Sequence, residues 1–152
     1  MTDIVGGRNP ALTRVRRLAR DRALRRQEGV YLVEGPTLVV DALSAGREVE
    51  QVFVPAEAAS SAVAAASETS GVPCRLVDDA LFDGLTTTMS AQPAIAVVAR
   101  HDVSVPDLPA DGVVVVLAEV ADPGNAGTLV RSAEAFGASG VIFAGGVDPY
   151  NP

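Results

Sequence analysis

The sequence has 152 residues, 48% of them hydrophobic, and a net charge of −7, enough for one ordinary domain or two small ones with a real core. No apolar run approaches the ~20 residues of a membrane span, and the N-terminus lacks a signal-type apolar stretch, so a cytoplasmic protein without a membrane partner is expected. One cysteine, Cys74, excludes an internal disulfide, and the one histidine, His101, has no metal-ligand partner nearby, so no metal site is expected.

The charge is unevenly spread. All twelve basic residues are arginine. Eight of them (Arg8, Arg14, Arg16, Arg17, Arg20, Arg22, Arg25 and Arg26) lie in the first 26 residues, against Asp3 and Asp21. That head carries +6 and the remainder −13. A basic head on an acidic body points to a polyanionic partner despite the acidic total.

In chain order, Asn9-Pro10 predicts a helix start, and Leu12, Val15, Ala19 and Ala23 recur at helical spacing behind it. A short strand is expected over Val30–Val33, then a turn at Glu34-Gly35-Pro36 and a helix from Pro36 to Ala45, stopped by Gly46. Val49–Val54 reads as a strand and Ala56 to about Thr69 as an Ala/Ser-rich helix. Cys74–Val77 reads as a strand, Asp79–Leu85 as a short helix and Ala94–Ala99 as another strand. Strands alternating with helices predict a parallel or mixed α/β sheet. Residues 101–112, rich in Pro, Asp and Gly, read as a linker between an N-terminal domain, residues 1–100, and the start of a second α/β domain, residues 113–152.

The second domain opens with an apolar strand, Val113–Ala118, a turn at Asp122-Pro123-Gly124-Asn125, a helix ended by Gly137, and a strand at Val141–Ala144. The loop leaving a buried parallel strand is where open α/β sheets bind ligands. Gly124 and Gly127 permit close backbone approach, Asn125 offers an amide, and Arg131 stands off the expected Leu129/Ala133/Phe136 core face with Glu134 in ion-pair reach. A guanidinium near a helix start makes a phosphate clamp, whereas a capped turn with an exposed Arg–Glu pair is the bland alternative. The loop has neither a P-loop ending nor Gly-x-Gly-x-x-Gly.

The segments Asp122-Pro123-Gly124-Asn125-Ala126-Gly127-Thr128 and Arg131-Ser132-Ala133-Glu134-Ala135-Phe136-Gly137 resemble the first motif of the SpoU (TrmH-type) RNA ribose methyltransferases of the SPOUT superfamily, whose catalytic domain is a knotted α/β fold. Glu28-Gly29-Val30-Tyr31-Leu32-Val33-Glu34-Gly35 resembles a stretch of that family's RNA substrate-binding domain, with Gln27 where a basic residue often stands. Thr87-Thr88-Met89-Ser90-Ala91-Gln92-Pro93 resembles its closing segment more loosely.

The resemblance implies a small N-terminal α/β substrate-binding domain followed by the first part of a knotted methyltransferase domain. It implies methyl transfer from S-adenosylmethionine to a ribose 2′-hydroxyl of RNA, rRNA favoured over tRNA, by a protein that is a homodimer through its complete catalytic domain. Arg131 then corresponds to the catalytic arginine, Asn125 to the loop asparagine that holds the site, and Glu134 to an acidic position that orients Arg131. The second and third motifs, which form the knot and most of the cofactor pocket, are missing from the sequence, so cofactor-binding residues are expected beyond Pro152 and this chain alone is expected to be inactive. Arg14, Arg16, Arg17, Arg20, Arg22, Arg25 and Arg26 become RNA-binding candidates, with a solvated helix face as their alternative. A non-catalytic RNA-binding module of α/β fold is the competing function.

Overall fold

In the computed structural model, which describes residues 4–85 and 92–152, Asn9 opens the first helix. Its side chain accepts from the Ala11 amide at 2.9 Å, and Pro10 takes the first helical position. The chain forms two units, one reaching to Arg100 and including Asn151–Pro152, the other His101–Tyr150.

In the first unit, α1 (Pro10–Arg20) buries Leu12, Val15, Leu18 and Ala19. The periodicity that carried one helix through Ala23 is interrupted at Asp21. This residue ends α1 and caps α2 (Arg22–Glu28), its carboxylate accepting from the Leu24 amide at 2.9 Å. The break shifts the helical phase, so Leu24 and Arg25 turn inward and Ala23 is exposed. Gly29, at φ 67°, closes α2 in the left-handed conformation that favours glycine.

The remaining elements are β2 (Val30–Glu34), α3 (Pro36–Ser44), β3 (Val49–Pro55), α4 (Ala62–Thr69), β4 (Cys74–Val77), α5 (Asp79–Phe82) and β5 (Ile95–Ala99). A two-residue strand, β1 (Ile4–Val5), precedes them all and has no counterpart in the sequence reading. The helix expected from Ala56 is a 3-10 turn, Ala56–Ala58, followed by α4, because Ser61 restarts the helix by accepting from the Ala64 amide. Residues 87–91 of the family-like closing segment lie outside the described residues.

The five strands form one mixed sheet in the order β1-β4-β3-β5-β2. β1, β4 and β3 run parallel, while β5 pairs antiparallel with both β3 and β2. Both faces are covered. Val15, Leu18, Leu32, Phe53, Ile95 and Val97 pack with α1 on one face, and Val39, Leu43, Val52, Val54, Val63, Ala96 and Val98 pack with α3 and α4 on the other. The interior strand β5 therefore reads as an unbroken apolar run, as strands buried on both faces do. Cys74 is half-buried, and burial raises its thiol pKa, which suits a structural residue.

In the second unit, β6 (Val114–Ala118) and β7 (Gly140–Ala144) pair in parallel through α6 (Pro123–Ala135), with Leu117 opposite Phe143. Residues 101–112, read as a linker, cluster with this unit. Leu108 lies over Gly140, and the Tyr150 hydroxyl donates to Asp102 at 2.6 Å. The core face of α6 is not the expected one: Ala126 and Ala133 are buried, whereas Leu129 is 41% and Phe136 91% exposed. Ala126 and Ala133, seven residues apart, share one face of α6, while Phe136 falls at its C-cap. Among the described residues no helix is long and apolar enough to cross a membrane.

Phe53, 1% exposed, fills the α1 face of the first sheet. Phe53→Ala is expected to destabilise the first unit by about 3–5 kcal/mol, measured by urea unfolding followed through a first-unit probe.

Candidate functional site

The chemistry-bearing segment is helical from Pro123, inside the expected turn. Asp122 is the N-cap of α6, its Oδ1 accepting from the Asn125 amide at 2.6 Å, and Pro123 is the first helical residue. Gly124, Asn125 and Gly127, read as loop residues, are therefore the opening turns of the helix. The Thr128 hydroxyl donates to the Gly124 carbonyl at 2.9 Å. Arg131 reaches back along the helix, and its Nη2 donates to Thr128 Oγ1 at 3.2 Å.

That direction follows from helix geometry, because Cα–Cβ bonds lean towards the N-terminus. It is why Arg131 meets Thr128, three residues before it, and forms no ion pair with Glu134, three residues after it. Gly127 makes room: a Cβ there would stand 3.3 Å from Arg131 Nη1. Asn125, Arg131 and Glu134 are all solvent-exposed. Thr128 was missed as a site residue, although its spacing of three from Arg131 was the available signal.

The carboxyl ends of β6 and β7 hold a second feature that no sequence pattern marks. Glu119, directly after β6, has φ 54° and is the one non-glycine residue at positive φ among the described residues. The left-handed region costs an L-residue about 1–2 kcal/mol. Two hydrogen bonds pin it there: the Glu119 amide donates to the Ala144 carbonyl at 3.0 Å, and the Val147 amide donates to the Val120 carbonyl at 2.8 Å. Opposite stand Gly145 and Gly146, at φ 82° and 75°. A Cβ on Gly145 would collide with the Glu119 carboxylate and one on Gly146 with the Val120 carbonyl. Only glycines fit there.

In the first unit the arginines separate by environment. Arg14 forms ion pairs with Glu28 and Glu50, each at 2.7 Å. The hydrogen bond to Glu50, outweighing partial burial, raises its pKa further. Arg25 is 3% exposed, and its Nη1 donates to the Leu18 carbonyl at 2.7 Å, so it holds α2 against α1. Arg17, Arg20, Arg22 and Arg26 are exposed and Arg16 half-buried. Among the described residues Arg16, Arg17, Arg20 and Arg26 have no ion-pair partner. No group of three or more His, Cys, Asp or Glu side chains among the described residues is placed to hold a metal ion.

Comparison with known proteins matches residues 9–96 to the MRM3-like substrate binding domain and residues 112–152 to the SpoU rRNA Methylase family. The rRNA methyltransferase 3A, mitochondrial, of Danio rerio is 31% identical over 150 residues, covering 93% of this chain and 34% of that protein. The 23S rRNA (guanosine(2553)-2′-O)-methyltransferase RlmP of Bacillus subtilis is 30% identical over 128 residues, covering 84% of this chain and 49% of that protein. The AdoMet-bound rRNA methyltransferase structure from Sinorhizobium meliloti superposes with a TM-score of 0.77 at 26% identity, over 97% of this chain and 56% of that one. The chain thus spans between about a third and a little over half of the length of these proteins.

Asp122→Ala is expected to fray the opening turns of α6 at a cost of about 1 kcal/mol. Amide exchange should quicken at Asn125 and Ala126 while first-unit amides keep their rates, and Asp122→Asn should restore most of the protection.

Proposed function

We propose a function from the premise that the chain belongs to the SpoU rRNA methylase family, with an MRM3-like substrate-binding domain ahead of its methylase unit. The whole protein is read as an S-adenosylmethionine-dependent RNA ribose 2′-O-methyltransferase acting on rRNA. The observation that carries this reading is Arg131, folded back over the opening turns of α6 and held by Thr128. S-adenosylmethionine is the family's cofactor, and the S. meliloti neighbour was solved with it bound. The carboxyl ends of the parallel strands β6 and β7, where open α/β sheets bind ligands, support a nucleoside site there. When bound, the cofactor supplies an electrophilic methyl carbon on a sulfonium.

The chain's own residues then divide the work. The exposed Arg131 guanidinium presents a planar fork that binds a phosphate of the target nucleotide and stabilises the oxyanion developing on its ribose. It keeps its proton throughout, since a guanidinium is always charged in proteins. Thr128 restricts the fork's orientation. Asn125, at the positive end of a 13-residue helix, offers an amide to the same anionic group. Glu134, one turn further on, is an exposed carboxylate outside this arrangement.

RNA is held electrostatically by arginines of α1 and α2. Arg16, Arg17, Arg20, Arg22 and Arg26 are the contacts retained in this proposal, while Arg14 and Arg25 support the helices that present them. Aromatic side chains make up 4% of the sequence, which favours recognition of RNA shape over stacking on splayed bases. The protein is read as cytoplasmic and as a homodimer, the latter supported by the exposure of Leu129 and Phe136 along α6.

In a protein carrying this chain at the length of its relatives, Arg131→Ala should lower methyl transfer to rRNA by at least about 100-fold with RNA affinity little changed. Arg131→Lys should recover little, because a point charge does not reproduce the fork. Near-normal transfer by Arg131→Ala removes Arg131 from the chemistry. RNA binding without transfer by the unsubstituted protein favours a non-catalytic RNA-binding module.

The arginines are tested by salt titration. Replacing Arg16, Arg17, Arg20 and Arg26 with Gln should weaken RNA binding and flatten its dependence on log salt by roughly one unit per lost phosphate contact. Arg14→Gln should leave that slope in place and lower stability instead.

A further inference from the structure

We propose that the Glu119 carboxylate is a site residue whose ligand is a ribose: it accepts hydrogen bonds from the hydroxyls of a nucleotide seated at the carboxyl ends of β6 and β7. The proposal deepens the methyltransferase reading and rests on it.

Three observations converge on Glu119. Its backbone is fixed in the left-handed region at φ 54°, where glycine is at ease and glutamate is strained. Strain of this kind persists only where the surroundings over-determine it, and here the bonds to Ala144 and from Val147 to Val120 do so. Second, the carboxylate has no hydrogen-bond or ion-pair partner among the described residues, so its acceptor sites are open. The other carboxylates at this end are engaged: Asp122 caps α6 and Asp148 accepts from the Tyr150 amide at 3.2 Å. Third, the carboxylate itself takes the space that a side chain on Gly145 would fill, so the glycine fixes where its oxygens stand at this end of the strands.

The chemistry of the ligand follows from the charges at this end of the unit. An ionised carboxylate only accepts, so its partner must be a donor. A ribose offers two neighbouring hydroxyls, which match the two oxygens of a carboxylate. Arg131, folded towards the start of α6, supplies the cation for the accompanying phosphate. A nucleotide carries both groups. Its ribose is that of the nucleoside cofactor, which offers both hydroxyls, or that of the RNA target, whose 3′-oxygen is esterified, and the shared group is the 2′-hydroxyl.

The test is an NMR titration of the 152-residue chain with adenosine 5′-monophosphate and with its 2′-deoxy analogue, read at the Glu119, Gly145 and Gly146 amides. The ribonucleotide should shift these resonances saturably and the deoxynucleotide should bind roughly tenfold more weakly, the loss expected for one hydrogen bond to a charged group. Glu119→Gln should lower affinity for the ribonucleotide by about tenfold and abolish the preference. Glu119→Gly should do the same while raising the melting temperature, because glycine occupies φ 54° without strain; that gain shows that the binding loss is not a folding loss. Equal binding of both nucleotides, or unchanged affinity and preference in Glu119→Gln, overturns the proposal. When the titration is repeated on a protein carrying this chain at the length of its relatives, competition by S-adenosylhomocysteine assigns the ribose to the cofactor, competition by a short single-stranded RNA assigns it to the substrate, and competition by neither overturns the proposal. Should Glu119 fail while Arg131→Ala still abolishes methyl transfer, the methyltransferase reading stands and only the ribose contact falls.

Discussion

The 2.6 Å hydrogen bond from the Asn125 amide to the Asp122 carboxylate decides where α6 starts, and the site is arranged around that point. A helix begun at Pro123 puts Asn125 in its first turn and Arg131 in its third, so that the guanidinium, leaning towards the N-terminus, lies back over Gly127 and Thr128. A helix begun three residues later would leave Gly124 and Asn125 in a loop and their amides without helical order. The cap also places the positive end of the helix dipole beside the end of β6, where an anionic group gains most from it. Backbone geometry alone thus supplies much of the site's electrostatics.

The same economy holds in the first unit. Eight arginines crowd the head of the chain, yet they are not equivalent. Arg14 spans Glu28 on α2 and Glu50 on β3, which ties both helices to the sheet. Arg25 turns inward to the Leu18 carbonyl. Solvent screening limits what the exposed Arg14 pairs add to stability, but the pairing fixes the helix faces on which Arg16, Arg17, Arg20 and Arg26 stand free. Arg14 and Arg25 hold the platform from which Arg16, Arg17, Arg20 and Arg26 project.

Much of this was legible in the sequence where the signal was local. Asn9-Pro10 marked a helix start and Gly46 a stop, and both are found, because capping depends on neighbouring residues. The apolar runs at Val49–Val54 and Cys74–Val77 gave strands. What was not legible depended on phase or on distant chain. Ala23 fitted the periodicity of α1, and only the competition of the Asp21 side chain for the Leu24 amide moved it outward. Phe136 fitted the apolar face of α6, but burial depends on what lies opposite, and beyond the two strands nothing in this unit does. The pairing of Arg131 with Thr128 in place of Glu134 follows from side-chain direction, which spacing does not carry. The strained backbone of Glu119 arises from β7 and the glycines after it, some 25 residues away in sequence, and no local pattern announces it.

The central claim is that the whole protein places a methyl group on a ribose 2′-oxygen of rRNA. Its most direct test is a map of 2′-O-methylated positions in the rRNA of the source organism, with and without the gene for this protein. Loss of methylation at a defined ribose on deletion, restored by the intact gene and not by one encoding Arg131→Ala, is the expected result. An rRNA methylation map identical in both strains would contradict the claim.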